Sequence, residues 1–119
     1  MTTDKRQLSP AAAAAIRHAS RVGEGLAIAG STLWEIAMIS DRGGFRLQST
    51  LAEYLRYMES AFVVLPITGA IAELSIAFSA RYPSNPTDRL IGATAVAHGL
   101  RLVTKDEGIR SSGEVKCIW

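Results

Sequence analysis

Apolar residues along this chain alternate between short continuous runs and stripes with helical spacing. The runs at 26–29, between two glycines, and at 62–65, closed by Pro66, are typical of strands that are buried on both faces. Residues 100–104 and 115–118 are predicted as a third and a fourth strand. Between them, apolar positions recur every three or four residues, as on one face of an α-helix. The pattern predicts an α/β domain with a largely parallel sheet.

Polar residues that can accept a hydrogen bond from a free backbone N–H precede the helical stripes. Ser9 followed by Pro10 opens a helix, and Thr32 with Glu35 matches a capping box. Glycines such as Gly23 and Gly44 close helices. The helices predicted in this way begin near residues 10, 32, 50, 68 and 87.

The composition is that of one ordinary domain. The 119 residues are 48% hydrophobic and 20% charged, with a net charge of +2, and a chain of this length can bury a real core. One cysteine, Cys117, cannot form an internal disulfide. No apolar run approaches the ~20 residues of a membrane helix, and the N-terminus lacks the apolar segment of a signal peptide. We therefore expect a single domain over residues 1–119, in the cytoplasm and not in a membrane.

Three acidic residues lie beyond the carboxyl ends of predicted strands or in the first turn of a predicted helix. They are Glu35, Asp88 and Asp106. Ligands of open parallel sheets bind at this edge. Carboxylates brought together repel one another unless a hard cation neutralises them, and Mg²⁺ or Mn²⁺ prefers such oxygen ligands. A metal site is therefore one interpretation of these acids.

A structural role is the alternative for each acid taken singly. Acidic side chains favour helix N-termini, because they accept hydrogen bonds there and complement the helix dipole. Asp106 followed by Glu107 is also compatible with a simple turn. The spacing alone leaves both interpretations open.

The sequence around the acids resembles the PIN-domain ribonucleases that are the toxins of VapBC-type toxin–antitoxin pairs. STLWEIA at 31–37 resembles their second motif, and NPTDRLI at 85–91, followed by ATA, resembles the third. LVTKD at 102–106 resembles the fourth. Residues 8–12 and 115–119 also match stretches of such toxins, so the resemblance covers nearly the whole chain in order.

This resemblance implies a three-layer α/β/α PIN-like domain that cleaves RNA with one or two Mg²⁺ or Mn²⁺ ions. It implies that Glu35, Asp88 and Asp106 are the catalytic metal ligands and that the Thr104 hydroxyl supports Asp106. Arg89, beside Asp88, is a candidate contact for RNA phosphates. A cognate antitoxin protein would bind and silence the domain.

The chain departs from the family pattern at its beginning. Family members open with an apolar strand that ends in Asp and lies at the centre of the sheet. Here seven residues precede Leu8, and Asp4 is the sole acid among them. We expect the central strand to be missing, which leaves its neighbours with unpaired edges. Two functions remain open: a Mg²⁺-dependent endoribonuclease toxin, or a catalytically impaired PIN remnant that binds proteins or oligomerises.

Apolar residues of the second and third predicted helices exceed what one small layer can hide. This excess predicts an exposed groove for an antitoxin helix or a second subunit. Unpaired strand edges also favour association with a second chain, and we therefore expect a homodimer. The apolar residues concerned are Leu33, Trp34, Leu47, Leu51, Tyr54, Leu55, Tyr57 and Met58.

Overall fold

The structure is a computed structural model that describes residues 9–21, 25–43 and 48–119. Gly23, Gly44, Leu47 and Asp4 lie outside the described residues. Within the described ranges, no helix is both long enough and apolar enough to span a membrane. The elements in chain order are α1 (Pro10–Arg21), β1 (Ala27–Ala29), α2 (Gly30–Asp41), α3 (Leu51–Ala61), β2 (Val63–Leu65), α4 (Gly69–Ala77), α5 (Pro86–Ala97), β3 (Leu102–Val103), α6 (Glu107–Ser112) and β4 (Cys117–Ile118).

Three helices begin at the polar residues that the sequence predicts as caps. The side chains of Ser9, Thr50 and Thr68 each accept a hydrogen bond from the backbone N–H three residues further on, at 3.1, 3.1 and 3.2 Å. Each bond satisfies one of the N–H groups that the first turn of a helix leaves without a partner. Local sequence therefore decides where α1, α3 and α4 begin.

Helix α2 begins earlier than predicted and has no side-chain cap. Extended Ala29 precedes its first residue, Gly30, so the predicted capping box of Thr32 and Glu35 is wrong. The chain passes directly from strand to helix, and Gly30 lies close to β2, where a Cβ would be 3.3 Å from the Leu65 carbonyl oxygen. Glu35 consequently lies in the second turn of α2, where its carboxylate can serve another partner.

The strands pair in parallel, as predicted, but they form two small sheets and not one. Strand β1 pairs with β2, and β3 pairs with β4. Within the described residues, β1 and β3 each have one edge without a ladder partner. Burial on both faces is wrong for Ala27 and Val63, which are exposed because strands this short are only partly covered by the helices.

The core on the β3–β4 side gathers residues from the loop before α5, from α5 and from the C-terminal segment. Tyr82, Ala95, Ile109 and Val115 are all buried and pack together, with Phe78, Leu102 and Cys117 against them. Ile109 belongs to α6, a helix that contradicts the simple turn considered at Asp106 and Glu107. Helix α5 also contacts α2, α4 and β1, which makes it the central helix among the described elements.

Gly92 of α5 lies against the ring of Tyr82, where a Cβ would be 2.7 Å from Cζ. We expect Gly92→Ala to lower the free energy of unfolding by about 1–3 kcal/mol, because overpacking outweighs the better helix propensity of alanine. Gly69→Ala is the control, since nothing lies within 4 Å of a Cβ there. Urea denaturation measures both changes, and equal effects would contradict the close contact.

Candidate active site

The N-terminus of α5 positions two residues of the candidate site. Asn85 is its N-cap, and the side-chain Oδ1 accepts a hydrogen bond from the Thr87 backbone N–H at 3.0 Å. Pro86 follows as the first helical residue, where its fixed φ suits a helix and its missing N–H costs nothing. Asp88 therefore lies in the first turn of α5, as predicted.

A hydrogen bond between side chains connects α5 with α2. The Thr87 hydroxyl lies 2.7 Å from Glu35 Oε2 and 2.8 Å from Asn85 Oδ1. A hydroxyl has one proton, so it donates to one of these two acceptors at a time. Thr87 is buried, and sequence reasoning assigned it no role although it stands beside Asp88 in the third motif. This contact brings Glu35 to the first turn of α5.

Asp106 and Thr104 lie together after β3. The Asp106 carboxylate caps α6 by accepting a hydrogen bond from the Ile109 backbone N–H at 2.9 Å. The Asp106 backbone N–H in turn donates to the Thr104 hydroxyl at 3.1 Å. Thr104 therefore fixes the backbone that carries Asp106, which is the position the resemblance implies for a supporting hydroxyl.

The three acids lie close enough for their charges to interact at Asp88. Burial raises the pKa of the Asp88 carboxyl above its ordinary value, and the negative charges of Asp106 and Glu35 raise the pKa further. Like charges destabilise the ionised form of a neighbouring carboxyl group. A cation near Asp88 would relieve this repulsion.

The donor chemistry of these residues fits a hydrated Mg²⁺ or Mn²⁺ ion. No three His, Cys, Asp or Glu side chains within residues 9–21, 25–43 and 48–119 form a ready metal cage. Mg²⁺, however, keeps several waters and takes one or two carboxylates. Ser31, one helical turn before Glu35, also has a buried hydroxyl with no partner among the described residues. That Glu35, Asp88 and Asp106 share one ion stays a prediction.

Arg89, the residue after Asp88, is surrounded by backbone carbonyl groups. Its five guanidinium N–H groups donate to five carbonyl oxygens at 3.1–3.4 Å. The predicted contact of Arg89 with RNA stays a prediction, and it would require the guanidinium to release one of these oxygens. Sequence reasoning missed this arrangement, because carbonyl positions depend on the fold and leave no residue pattern. The oxygens belong to Ser75, Phe78, Ser79, Tyr82 and Pro83.

Comparison with known proteins decides the family. The family model described as PIN domain matches residues 2–114. The chain belongs to the PIN-domain family. This PIN domain is also 34% identical, over 110 residues, to Ribonuclease VapC22 of Mycobacterium tuberculosis, a match that covers 92% of the chain and 82% of that relative. The predicted α/β fold class and the resemblance to VapC-type PIN proteins are thereby confirmed, and all candidate site residues lie in the matched range.

The raised pKa of Asp88 predicts a pH-dependent loss of stability. Because the folded-state pKa lies above the ordinary 3.8, this group's contribution to stability is fully present below pH 3.8 and is lost as the pH rises through the folded-state value. We expect Asp88→Asn to be more stable than the unchanged PIN domain at pH 7 in EDTA, and the difference to shrink as the pH falls toward 3.8. Urea denaturation over a pH series measures this.

Glu73→Gln on the exposed face of α4 is the matched control for the loss of one negative charge, and the gain in stability of Asp88→Asn at pH 7 should exceed that of this control. An Asp88→Asn variant that is less stable than the unchanged protein at pH 7 would contradict repulsion among the acids.

Proposed function

We propose that this PIN domain is a Mg²⁺- or Mn²⁺-dependent endoribonuclease that acts in the cytoplasm as the toxin of a toxin–antitoxin pair. The observation that carries the proposal is the contact by which the Thr87 hydroxyl brings Glu35 to the first turn of α5, beside Asp88, whose carboxyl pKa is raised by burial and by the charges of Asp106 and Glu35. It occurs in a chain that is similar to a protein named as a ribonuclease. RNA is the proposed substrate, and a cognate antitoxin is the proposed protein partner.

Glu35, Asp88 and Asp106 would hold the cation as catalytic residues. A bound Mg²⁺ or Mn²⁺ lowers the pKa of a coordinated water and stabilises charge on a scissile phosphate. The Thr87 hydroxyl orients Glu35 from α5, and Thr104 supports the backbone at Asp106. One carboxylate oxygen of Asp106 caps α6, so the other oxygen would be available to a cation.

This proposal predicts which substitutions slow RNA cleavage. We expect Glu35→Gln, Asp88→Asn and Asp106→Asn each to lower the Mg²⁺-dependent cleavage rate by about 10²-fold, since each removes a charge and preserves the side-chain shape. Asparagine still caps a helix, so Asp106→Asn retains α6. Single-turnover cleavage of a labelled RNA pool measures the rates.

Glu59→Gln on the exposed face of α3 is the control, and it should cleave at the unchanged rate. EDTA should abolish cleavage, and added Mn²⁺ should restore it. Full activity of Asp88→Asn, or activity that persists in EDTA, would refute the metal-dependent mechanism.

A second candidate function, an impaired PIN remnant that binds proteins or oligomerises, is favoured by a specific observation. Strands β1 and β3 each present an unpaired edge within the described residues, and free N–H and C=O groups can pair with another chain. Helices α2 and α3 contact each other and expose two aromatic side chains, Trp34 at 58% and Tyr57 at 61%. A surface of this kind suits an apolar partner helix.

We expect the chain to form a homodimer under either candidate function. We expect light scattering at high micromolar concentration to give twice the mass of one chain, because a second copy can cover the exposed strand edges and aromatic side chains. Trp34→Gln should shift the equilibrium toward monomer, whereas Ile76→Gln on α4 should not. A monomer mass for the unchanged chain would contradict this prediction.

A further inference from the structure

The loop before α5 places a buried tyrosine against the first turn of that helix. Tyr82 is 1% exposed, and its hydroxyl donates to the Asp88 backbone carbonyl at 2.6 Å. Gly92 lies beside the same hydroxyl oxygen, which a Cβ at position 92 would strike. Asp88 and Gly92 are four residues apart and therefore lie one turn apart on the same face of α5. The tyrosine hydroxyl thus bridges from the loop to the turn that begins with Asp88.

Gly92 is the residue that allows this approach. A Cβ at position 92 would be 2.7 Å from Tyr82 Cζ, and it would collide with the hydroxyl oxygen. The absence of a side chain thus gives the phenol access to the helix backbone. The ring is also held from its face, since Phe78 stacks on Tyr82 with centroids 4.4 Å apart.

Arg89 connects the same turn to α4 and to the loop before α5. The guanidinium donates two hydrogen bonds into the last turn and C-cap of α4, to Ser75 and Phe78 at 3.1 and 3.2 Å. Its remaining bonds reach the loop that carries Tyr82, and the Arg89 Cζ lies 5.9 Å from the centroid of the Tyr82 ring. A cation at a helix C-terminus is favourable, because the carbonyl groups there carry partial negative charge.

We infer that Tyr82 and Arg89 are positioning residues for Asp88, which they hold by fixing the backbone of the first turn of α5 against α4. The backbone carbonyl of Asp88 itself accepts the hydrogen bond from Tyr82, and the next residue, Arg89, donates to five backbone carbonyl groups. Neither positioning side chain needs to touch RNA or the cation. This inference rests on the proposed function, because it names what keeps a proposed metal ligand in place.

The test compares Tyr82→Phe and Arg89→Lys with the unchanged full chain. Tyr82→Phe removes only the bridging hydroxyl, and Arg89→Lys keeps the charge but loses the planar five-donor group. Electron paramagnetic resonance of free Mn²⁺ gives the metal dissociation constant without RNA. We expect both variants to bind Mn²⁺ about 10-fold more weakly, which is typical when the residues that orient a ligand are changed.

RNA cleavage adds a second readout. A displaced metal ligand should lower kcat, and it should leave the KM for RNA unchanged at saturating Mn²⁺. The matched control is Arg81→Lys, whose guanidinium makes one long bond to the Ser111 carbonyl. This control should change neither the Mn²⁺ affinity nor kcat. The thermal unfolding of each variant is measured as well, so that all comparisons refer to folded protein.

Three outcomes would overturn the inference, and they differ from one another. Unchanged Mn²⁺ affinity and kcat in both variants would leave Tyr82 and Arg89 a structural role only, with the proposed nuclease intact. A higher KM with unchanged kcat for Arg89→Lys would instead make Arg89 an RNA contact. If the unchanged chain neither binds Mn²⁺ nor cleaves RNA, the proposed function fails and the inference fails with it. Mn²⁺ binding without RNA cleavage refutes only the nuclease, and weaker binding by both variants then still supports the inference.

Discussion

The hydrogen bond from Thr87 to Glu35 is the contact on which the geometry of the candidate site depends. It joins side chains 52 residues apart and connects the helix after β1 with the helix before β3. Thr87 is buried, where a hydroxyl without a partner would be costly, and Glu35 and Asn85 are the two acceptors available to it. The backbone of Thr87 is in turn fixed by Asn85, and the same cap therefore determines where both Thr87 and Asp88 lie.

Among the described elements, helix α5, and not a continuous sheet, connects the two strand pairs that precede the acids. Glu35 follows β1 and Asp106 follows β3, and these two strands do not pair within the described residues. Helix α5 contacts β1 and α2, while its residue Ala95 packs in the core beside Leu102 of β3. The distance between the two acids is thus set by side-chain packing on one helix, and not by a ladder of backbone hydrogen bonds.

Sequence patterns predicted those parts of the molecule that depend on neighbouring residues. Caps at Thr50 and Thr68 mark helix starts because the hydrogen bond closes within one turn, and the parallel strands follow from short apolar runs. The pattern failed at Thr32, because α2 begins at Gly30, next to β2, without a side-chain cap. Motif positions also pointed to Asp88, but the partners of Tyr82 and Arg89 are backbone atoms, which no residue spacing reveals.

Arg89 makes its bonds to neutral carbonyl groups, and this distinguishes it from the ion pairs that often anchor an arginine. Interactions between exposed charges weaken as ionic strength rises, whereas hydrogen bonds to neutral acceptors depend much less on salt. Attraction between a protein and RNA phosphates falls steeply with added salt. The first turn of α5 should therefore keep its geometry at ionic strengths that would already weaken the proposed binding of RNA.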